Sequence, residues 1–196
     1  MYELIILGYL MRKPVHGYII AKIINDMIGP YAKFSSGRLY PLLAKLEADG
    51  LIIATDPSSI EGDRRQHPYA ITDAGRHRFH ALMLDTTSNP GDYQRIFWHK
   101  LVHLNFLPAS ERIYVLDQYI NFCQTHIFHM TGEMEDLERN ALTLGYMNAT
   151  QLDATLRAMR HSRNQWLLEL ENAKDWRARE DAMHTGGDAA ASAAAS

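Results

Sequence analysis

Apolar positions divide the first half of the chain into short helices followed by a hairpin. Leu4, Leu7, Leu10 and Met11 recur at helical spacing and the run stops at Arg12-Lys13-Pro14. A second helix is predicted after Pro14, through Tyr18, Ile19, Ala21, Ile23, Ile24 and Met27, with a stop at Gly29-Pro30. A third opens at Ser35 or Ser36 as N-cap, carries Leu39, Leu42, Leu43 and Leu46 on one face, and ends at Gly50. The pattern then changes. Leu51–Thr55 and Pro68–Thr72 read as two strands, joined by a polar stretch, Asp56–His67, that forms a long tip. Thr72 or Asp73 caps a fourth helix, Ala74–Leu84, and the run Thr86–Gly91 is a break between domains.

Beyond Pro90 the pattern is helical throughout. Tyr93–Leu107 reads as one segment closed by Pro108. From Ile113 through Leu116, Ile120, Cys123, Ile127, Met130, Met134, Leu137 and Ala141 to Leu144, the apolar steps alternate three and four, a heptad seam that needs a partner surface. Gly132 weakens helix propensity inside it by about 1 kcal/mol and predicts a local bend. A last helix from Leu152 to about Arg179 repeats the seam through Leu156, Met159, Trp166, Leu170 and Ala173, interrupted by Arg163. Either this helix or a second copy of the chain can cover the first seam, and the interruption favours a contact between copies in addition. The low-complexity tail, 185–196, is expected to be disordered.

Composition narrows the class. With 196 residues, 46% hydrophobic and 22% charged, the chain can bury a core without metal or disulfide. The single cysteine, Cys123, excludes an internal disulfide framework. The apolar run Leu4–Met11 is too short to span a bilayer, and the basic pair following it reverses the charge order of a signal peptide. A cytoplasmic protein with no membrane partner is expected. The net charge of −3 is uneven, +2 over residues 1–84 against −5 over 85–196, which points weakly to an anionic partner for the first half.

Three helices followed by a hairpin is the order of a winged helix-turn-helix, in which the third helix enters the DNA major groove and the hairpin tip touches the backbone or minor groove. The residues at those two places suit the task. Ser35 and Ser36 at a helix N-terminus form a phosphate site, and Gly37 leaves room for a DNA backbone. Arg38 reaches a base edge or a phosphate, Tyr40 follows it, and Lys45 lies seven residues on along a similar face. Arg64 and Arg65 on the hairpin tip suit phosphate or minor-groove contact. Each has a plainer reading: serine caps, a core tyrosine, and arginines paired with Glu61 and Asp63 in a solvated turn. Their coincidence at the recognition helix and the wing favours DNA.

These residues also carry a family resemblance. His16-Gly17-Tyr18, the run Ser36-Gly37-Arg38-Leu39-Tyr40-Pro41-Leu42-Leu43, Leu46-Glu47, Gly50-Leu51-Ile52 and the return strand Tyr69–Gly75 together resemble the PadR family of transcriptional regulators across residues 1–84. Phe97-Trp98-His99-Lys100-Leu101 and Trp166-Leu167 resemble, more loosely, its larger subfamily, which includes phenolic-acid-responsive repressors. The resemblance implies a mainly α protein: a winged helix-turn-helix with a two-stranded β wing (1–85), then an all-helical dimerisation and effector domain (91–184). It implies a homodimer on a palindromic double-stranded operator. It further implies release by a small aromatic acid held between the winged helix and the helical half at Tyr93, Trp98 and His99, with Phe97 and Lys100 beside them.

Other chemistry is expected to be absent. His99 and His103, and Cys123, His126 and His129, have ligand-like spacing, but no H-E-x-x-H motif accompanies them and Cys123 sits in the apolar seam. No nucleophile motif or phosphate loop stands out, so neither cofactor, metal nor enzymatic activity is expected. The alternative is a helical ligand- or partner-binding protein that uses its winged helix for protein contact.

Overall fold

The computed structural model describes residues 1–28, 33–55, 67–142, 145 and 147–194, with side chains as far as 184. They form two compact units, Met1–Leu107 and Pro108–Ser196. No described helix is long and apolar enough to cross a membrane.

The first unit is built around helix α1 (Tyr2–Leu10), whose Leu4, Ile5, Ile6, Leu7, Gly8 and Leu10 are all buried. A helix apolar on every side must be enclosed. It is enclosed by α2 (Gly17–Ile28), α4 (Asp73–Leu84), α5 (Tyr93–Leu101) and a small sheet. The helix-turn-helix pair is α2 and α3 (Ser36–Ala48). Asn25 on α2 fixes the start of α3: its side chain donates to the Phe34 carbonyl at 3.0 Å and accepts from the Phe34 amide at 2.7 Å. Phe34 in turn lies against the Tyr2 ring, centroids 4.6 Å apart.

The sheet has three strands rather than the expected two, in the order β1 (Val15–His16), β3 (Pro68–Ile71), β2 (Ile52–Ala54), all antiparallel. The two-residue β1 was hidden because its register, Val15 opposite Tyr69, is a long-range pairing that leaves no local period. The wing tip, including Arg64 and Arg65, lies outside the described residues. Of the two candidate caps for α4, Thr72 serves: its hydroxyl accepts from the Gly75 amide at 3.0 Å and reaches the Gly50 carbonyl at 2.7 Å.

The boundary between the units falls at residue 107, not at 85–91. Tyr93, Phe97 and Lys100 of α5 are buried in the first unit, so the Pro/Gly-containing stretch before them is a surface turn and not an interdomain linker. The single helix expected over 93–107 is also broken: α5 ends at Leu101 and a 3₁₀ turn, Leu104–Phe106, follows.

The second unit is an antiparallel hairpin of α6 (Ala109–Asn140) and α7 (Ala149–Ala194). Asn148 and Gln151 exchange side-chain-to-backbone hydrogen bonds of 2.9 and 3.0 Å, capping α7. Ties between the helices fix their register: Arg112–Glu180 at 2.7 Å, Asp117–Arg177 at 3.0 Å, Tyr119 to Glu169 at 2.9 Å, and Arg160–Glu138 at 2.9 Å. His126 stacks on Trp166 with ring centroids 4.3 Å apart. The heptad seam is partly covered within the chain: Leu116, Cys123, Met134 and Ala141 are buried, whereas Ile113, Ile120 and Ile127 are half-buried and Phe128 is 83% exposed. Burial pushes the Cys123 thiol up to about 11, which makes it a packing residue and a poor nucleophile. The α7 backbone continues to Ala194 through the stretch expected to be disordered, consistent with alanine's helix propensity.

Two glycines give opposite tests of this packing. A Cβ on Gly75 would meet the Leu51 carbonyl oxygen at 2.0 Å, whereas one on Gly132 meets nothing within 4 Å. Gly75→Ala should lower stability by about 1–3 kcal/mol. Gly132→Ala should raise it by about 1 kcal/mol through helix propensity. Urea unfolding of both variants checks the pair.

Candidate nucleic-acid interface

Helix α3 has two faces. Leu39, Leu43 and Leu46 point into the core, and Gly37, Arg38, Pro41, Ala44, Lys45 and Ala48 are exposed. The exposed face is therefore low in relief, with small residues along its middle and cations at both ends, a shape that lets a helix sit deep in a groove. Arg38 and Lys45, seven residues apart, share it as the spacing predicted.

The first turn is open to an anion. Ser35 is the N-cap, but its side chain makes no capping hydrogen bond, and the first amides to find carbonyl partners are those of Arg38 and Leu39, both bonded to the Ser35 carbonyl. The amides of Ser36 and Gly37 precede any intrahelical acceptor, so the positive end of the helix and two hydroxyls converge at one exposed spot. Tyr40 is placed differently. It is half-buried on the inner side of α3, its ring atom Cε1 3.2 Å from where a Cβ on Gly17 would stand, so it fixes α3 against α2.

The residues expected to hold an effector separate into two groups. Tyr93, Phe97 and Lys100 belong to the core. Lys100 is fully buried, donates to the Asp85 carbonyl oxygen and lies 5.4 Å above the Tyr93 ring; burial lowers its pKa to about 8. That cation is already engaged and is not available to a ligand's carboxylate. Trp98 and His99 instead line a cavity of about 410 Å³ within the first unit, together with Tyr2, Lys33, Arg38 and Arg95. Burial, reinforced by the Arg95 charge, lowers the pKa of His99 and favours its neutral form. The cavity thus joins an expected effector pair to an expected DNA contact. Lys33 and Arg95 carried no sequence signal, being far apart in the chain and brought together only by the enclosure of α1.

Residues 6–81 match the model of the transcriptional regulator PadR-like family. The likeness to that family is confined to this segment. Solved structures align over nearly the whole length at low identity. Bacillus subtilis PadR in complex with operator DNA is 20% identical, covering 92% of this chain and 94% of that one, with a TM-score of 0.37. B. subtilis PadR in complex with p-coumaric acid is 18% identical, covering 91% and 94%, with a TM-score of 0.38. The Vibrio cholerae virulence activator AphA is 20% identical, covering 93% and 99%, with a TM-score of 0.37. No curated protein matches the chain in sequence. The PadR-like match covers α3 and the sheet and ends before α5 and its cavity residues.

One buried group behind the PadR-like segment is unusual. His103 is fully buried among the rings of Tyr9, Phe79 and Phe106, and neither ring nitrogen has a hydrogen-bond partner. Its ring occupies the space beside Gly8, where a Cβ would fall 2.5 Å from Cδ2 and Nε2. Desolvation, with the Arg12 charge adding to it, lowers its pKa to about 4. The unfolded chain, with an ordinary histidine near 6.5, therefore takes up a proton before the folded one does. His103's contribution is fully present above about pH 6.5 and is lost progressively as pH falls toward 4. Between pH 7 and 5 this group should cost about 2 kcal/mol of stability. His103→Leu should show a correspondingly smaller drop between urea titrations at the two pH values; an equal drop in both proteins would contradict the assignment.

Proposed function

We propose that the protein is a cytoplasmic transcriptional repressor that binds a palindromic DNA operator as a homodimer and is released by a small aromatic acid. The observation that carries the reading is the solvent face of α3: an uncapped, hydroxyl-bearing N-terminus, Arg38 and Lys45 at its ends, and small residues between, on a PadR-like winged helix. In this reading Ser35, Ser36 and the Gly37 amide hold a phosphate. Arg38 reads a base edge or a second phosphate, and Lys45 contacts the backbone. Tyr40 acts by holding α3 in place, and Arg64 and Arg65 of the wing add backbone or minor-groove contact. The uncovered flank of the α6 seam, Ile113, Ile120, Ile127 and Phe128, supports a second copy as its partner. Trp98 and His99 receive the aromatic acid, whereas Tyr93 stays in the core beneath Lys100 and acts only by packing α5.

The test is a polarisation titration against a duplex that the protein retains from its own genome. Arg38→Ala should weaken binding by about 1–3 kcal/mol, and the Arg64→Ala/Arg65→Ala variant should mainly reduce the salt slope. Unchanged affinity and salt dependence in both variants would favour a winged helix used for protein contact.

Light scattering at low micromolar concentration should give twice the 22.4 kDa chain mass. Ile120→Asp/Ile127→Asp should shift the protein to monomer or unfold it and abolish operator binding. A monomeric wild type would refute the dimer.

A further inference from the structure

We propose that Arg163 of α7 sets how two copies of the chain pair: its guanidinium takes a carboxylate, Glu133 or Glu171, from the same stretch of the second copy. The inference deepens the homodimer reading above and rests on it. The hairpin has a buried core at each end and none in the middle. Met134, Ala141, Leu152 and Leu156 form a buried cluster toward the turn. Leu116, Tyr119, Cys123 and Ala173 are buried toward the other end. Between them, over the described stretches 124–133 of α6 and 157–172 of α7, no residue is buried. Ten residues of α6 make about 15 Å of helix, nearly three turns without a core. The helices still touch there, His126 against Trp166. The uncovered flank with Ile127 and Phe128 runs through this gap, and Leu167 and Leu168 of α7 are exposed in it as well.

Arg163 lies inside this gap, at the position that the spacing from Met159 to Trp166 reserves for an apolar side chain. Three residues before it Arg160 pairs with Glu138 at 2.9 Å, and three after it Trp166 stacks on His126 at 4.3 Å. Arg163 therefore belongs to the side of α7 that is turned to α6. Its Nε is buried and has no hydrogen-bond partner. The other arginines among the described residues of α7 all have carboxylates: Arg157 with Asp153, Arg160 with Glu138, Arg177 with Asp117, and Arg179 with Asp175. A buried guanidinium nitrogen without an acceptor carries the full cost of its lost water, and a carboxylate supplied from outside the chain removes that cost. The exposed carboxylates of the gap are Glu133, 3.9 Å from His129, and Glu171. Glu169, also in the gap, is already held by the Tyr119 hydroxyl at 2.9 Å. A face with an unpaired cation and exposed carboxylates is complementary to itself, as a two-fold pair requires, because each contact is made twice. A pairing that sets Arg163 against Arg163 is repelled, and one that sets it against isoleucine leaves the charge uncompensated. One polar residue in an apolar seam selects a single register and oligomeric state in this way.

The experiment is analytical ultracentrifugation of the wild type, of two charge-reversed variants and of their equimolar mixture. Arg163→Glu sets acid against acid in its own dimer, and Glu133→Arg/Glu171→Arg sets cation against cation. Each variant alone should dimerise about tenfold or more weakly than the wild type, since like charges meet at both contacts. The mixture should recover the wild-type dimerisation, because both contacts of a mixed pair again join opposite charges. Circular dichroism establishes that each variant keeps its helices. Undiminished dimerisation of Arg163→Glu would overturn the proposal. So would a mixture no tighter than its components, which would place the acceptor of Arg163 within its own chain or in water. If charge reversal unfolds the chain, Arg163→Gln replaces it, keeping a long polar side chain without the charge. Weakening of the Arg163→Gln dimer by about tenfold supports the proposal, and unchanged dimerisation overturns it. A monomeric wild type would sink the homodimer reading itself, whereas a dimeric wild type indifferent to these changes would sink only the role of Arg163.

Discussion

A nine-residue helix that is apolar all round beyond Glu3 has to be surrounded, and the enclosure of α1 sets the positions of α3 and the cavity beside it. Leu4 to Gly8 and Leu10 are buried by α2, α4, α5 and the sheet. Burying side chains of this size stabilises by roughly 1.5–3 kcal/mol each, far more than any surface ion pair in the molecule. Tyr2, at the start of that helix, contacts Phe34 and lies under Arg38; Gly8, near its end, admits the ring of His103. The orientation of α3 and the shape of the adjoining cavity thus follow from one packing requirement.

The second unit is held differently. Its two long helices share a narrow apolar stripe, and ion pairs between Arg112 and Glu180, Asp117 and Arg177, and Glu138 and Arg160 set their register more than their stability. The stripe is wider than one partner covers, because Ile113, Ile120 and Ile127 remain half-exposed after α7 has packed. That imbalance is what a second copy would resolve.

The helices of the first unit were legible because each carries its own punctuation: Pro14 before α2, serines before α3, Thr72 before α4, and an apolar face at helical period. The exposed face of α3 was legible for the same reason, since Arg38 and Lys45 sit at a fixed spacing on one helix. What escaped the sequence depends on contacts distant in the chain. Strand β1 is two residues long and exists through pairing with Tyr69 and Pro68. The run before Pro90 has the composition of a linker, yet the burial of Tyr93, Phe97 and Lys100 ties α5 to the first unit. The shared lining of Lys33, Arg38 and Arg95 left no trace in the sequence, and it places Trp98 and His99 on a cavity beside the start of α3.

The most direct test of the central claim, that α3 reads DNA in a symmetric pair, is a hydroxyl-radical footprint of the wild-type protein on a retained genomic fragment. The account predicts two protected patches whose centres are separated by one helical turn, about 10–10.5 base pairs, or a multiple of it, with related sequence in opposite orientation. A single patch would contradict the symmetric dimer. No protection at micromolar protein would contradict DNA recognition by this helix altogether.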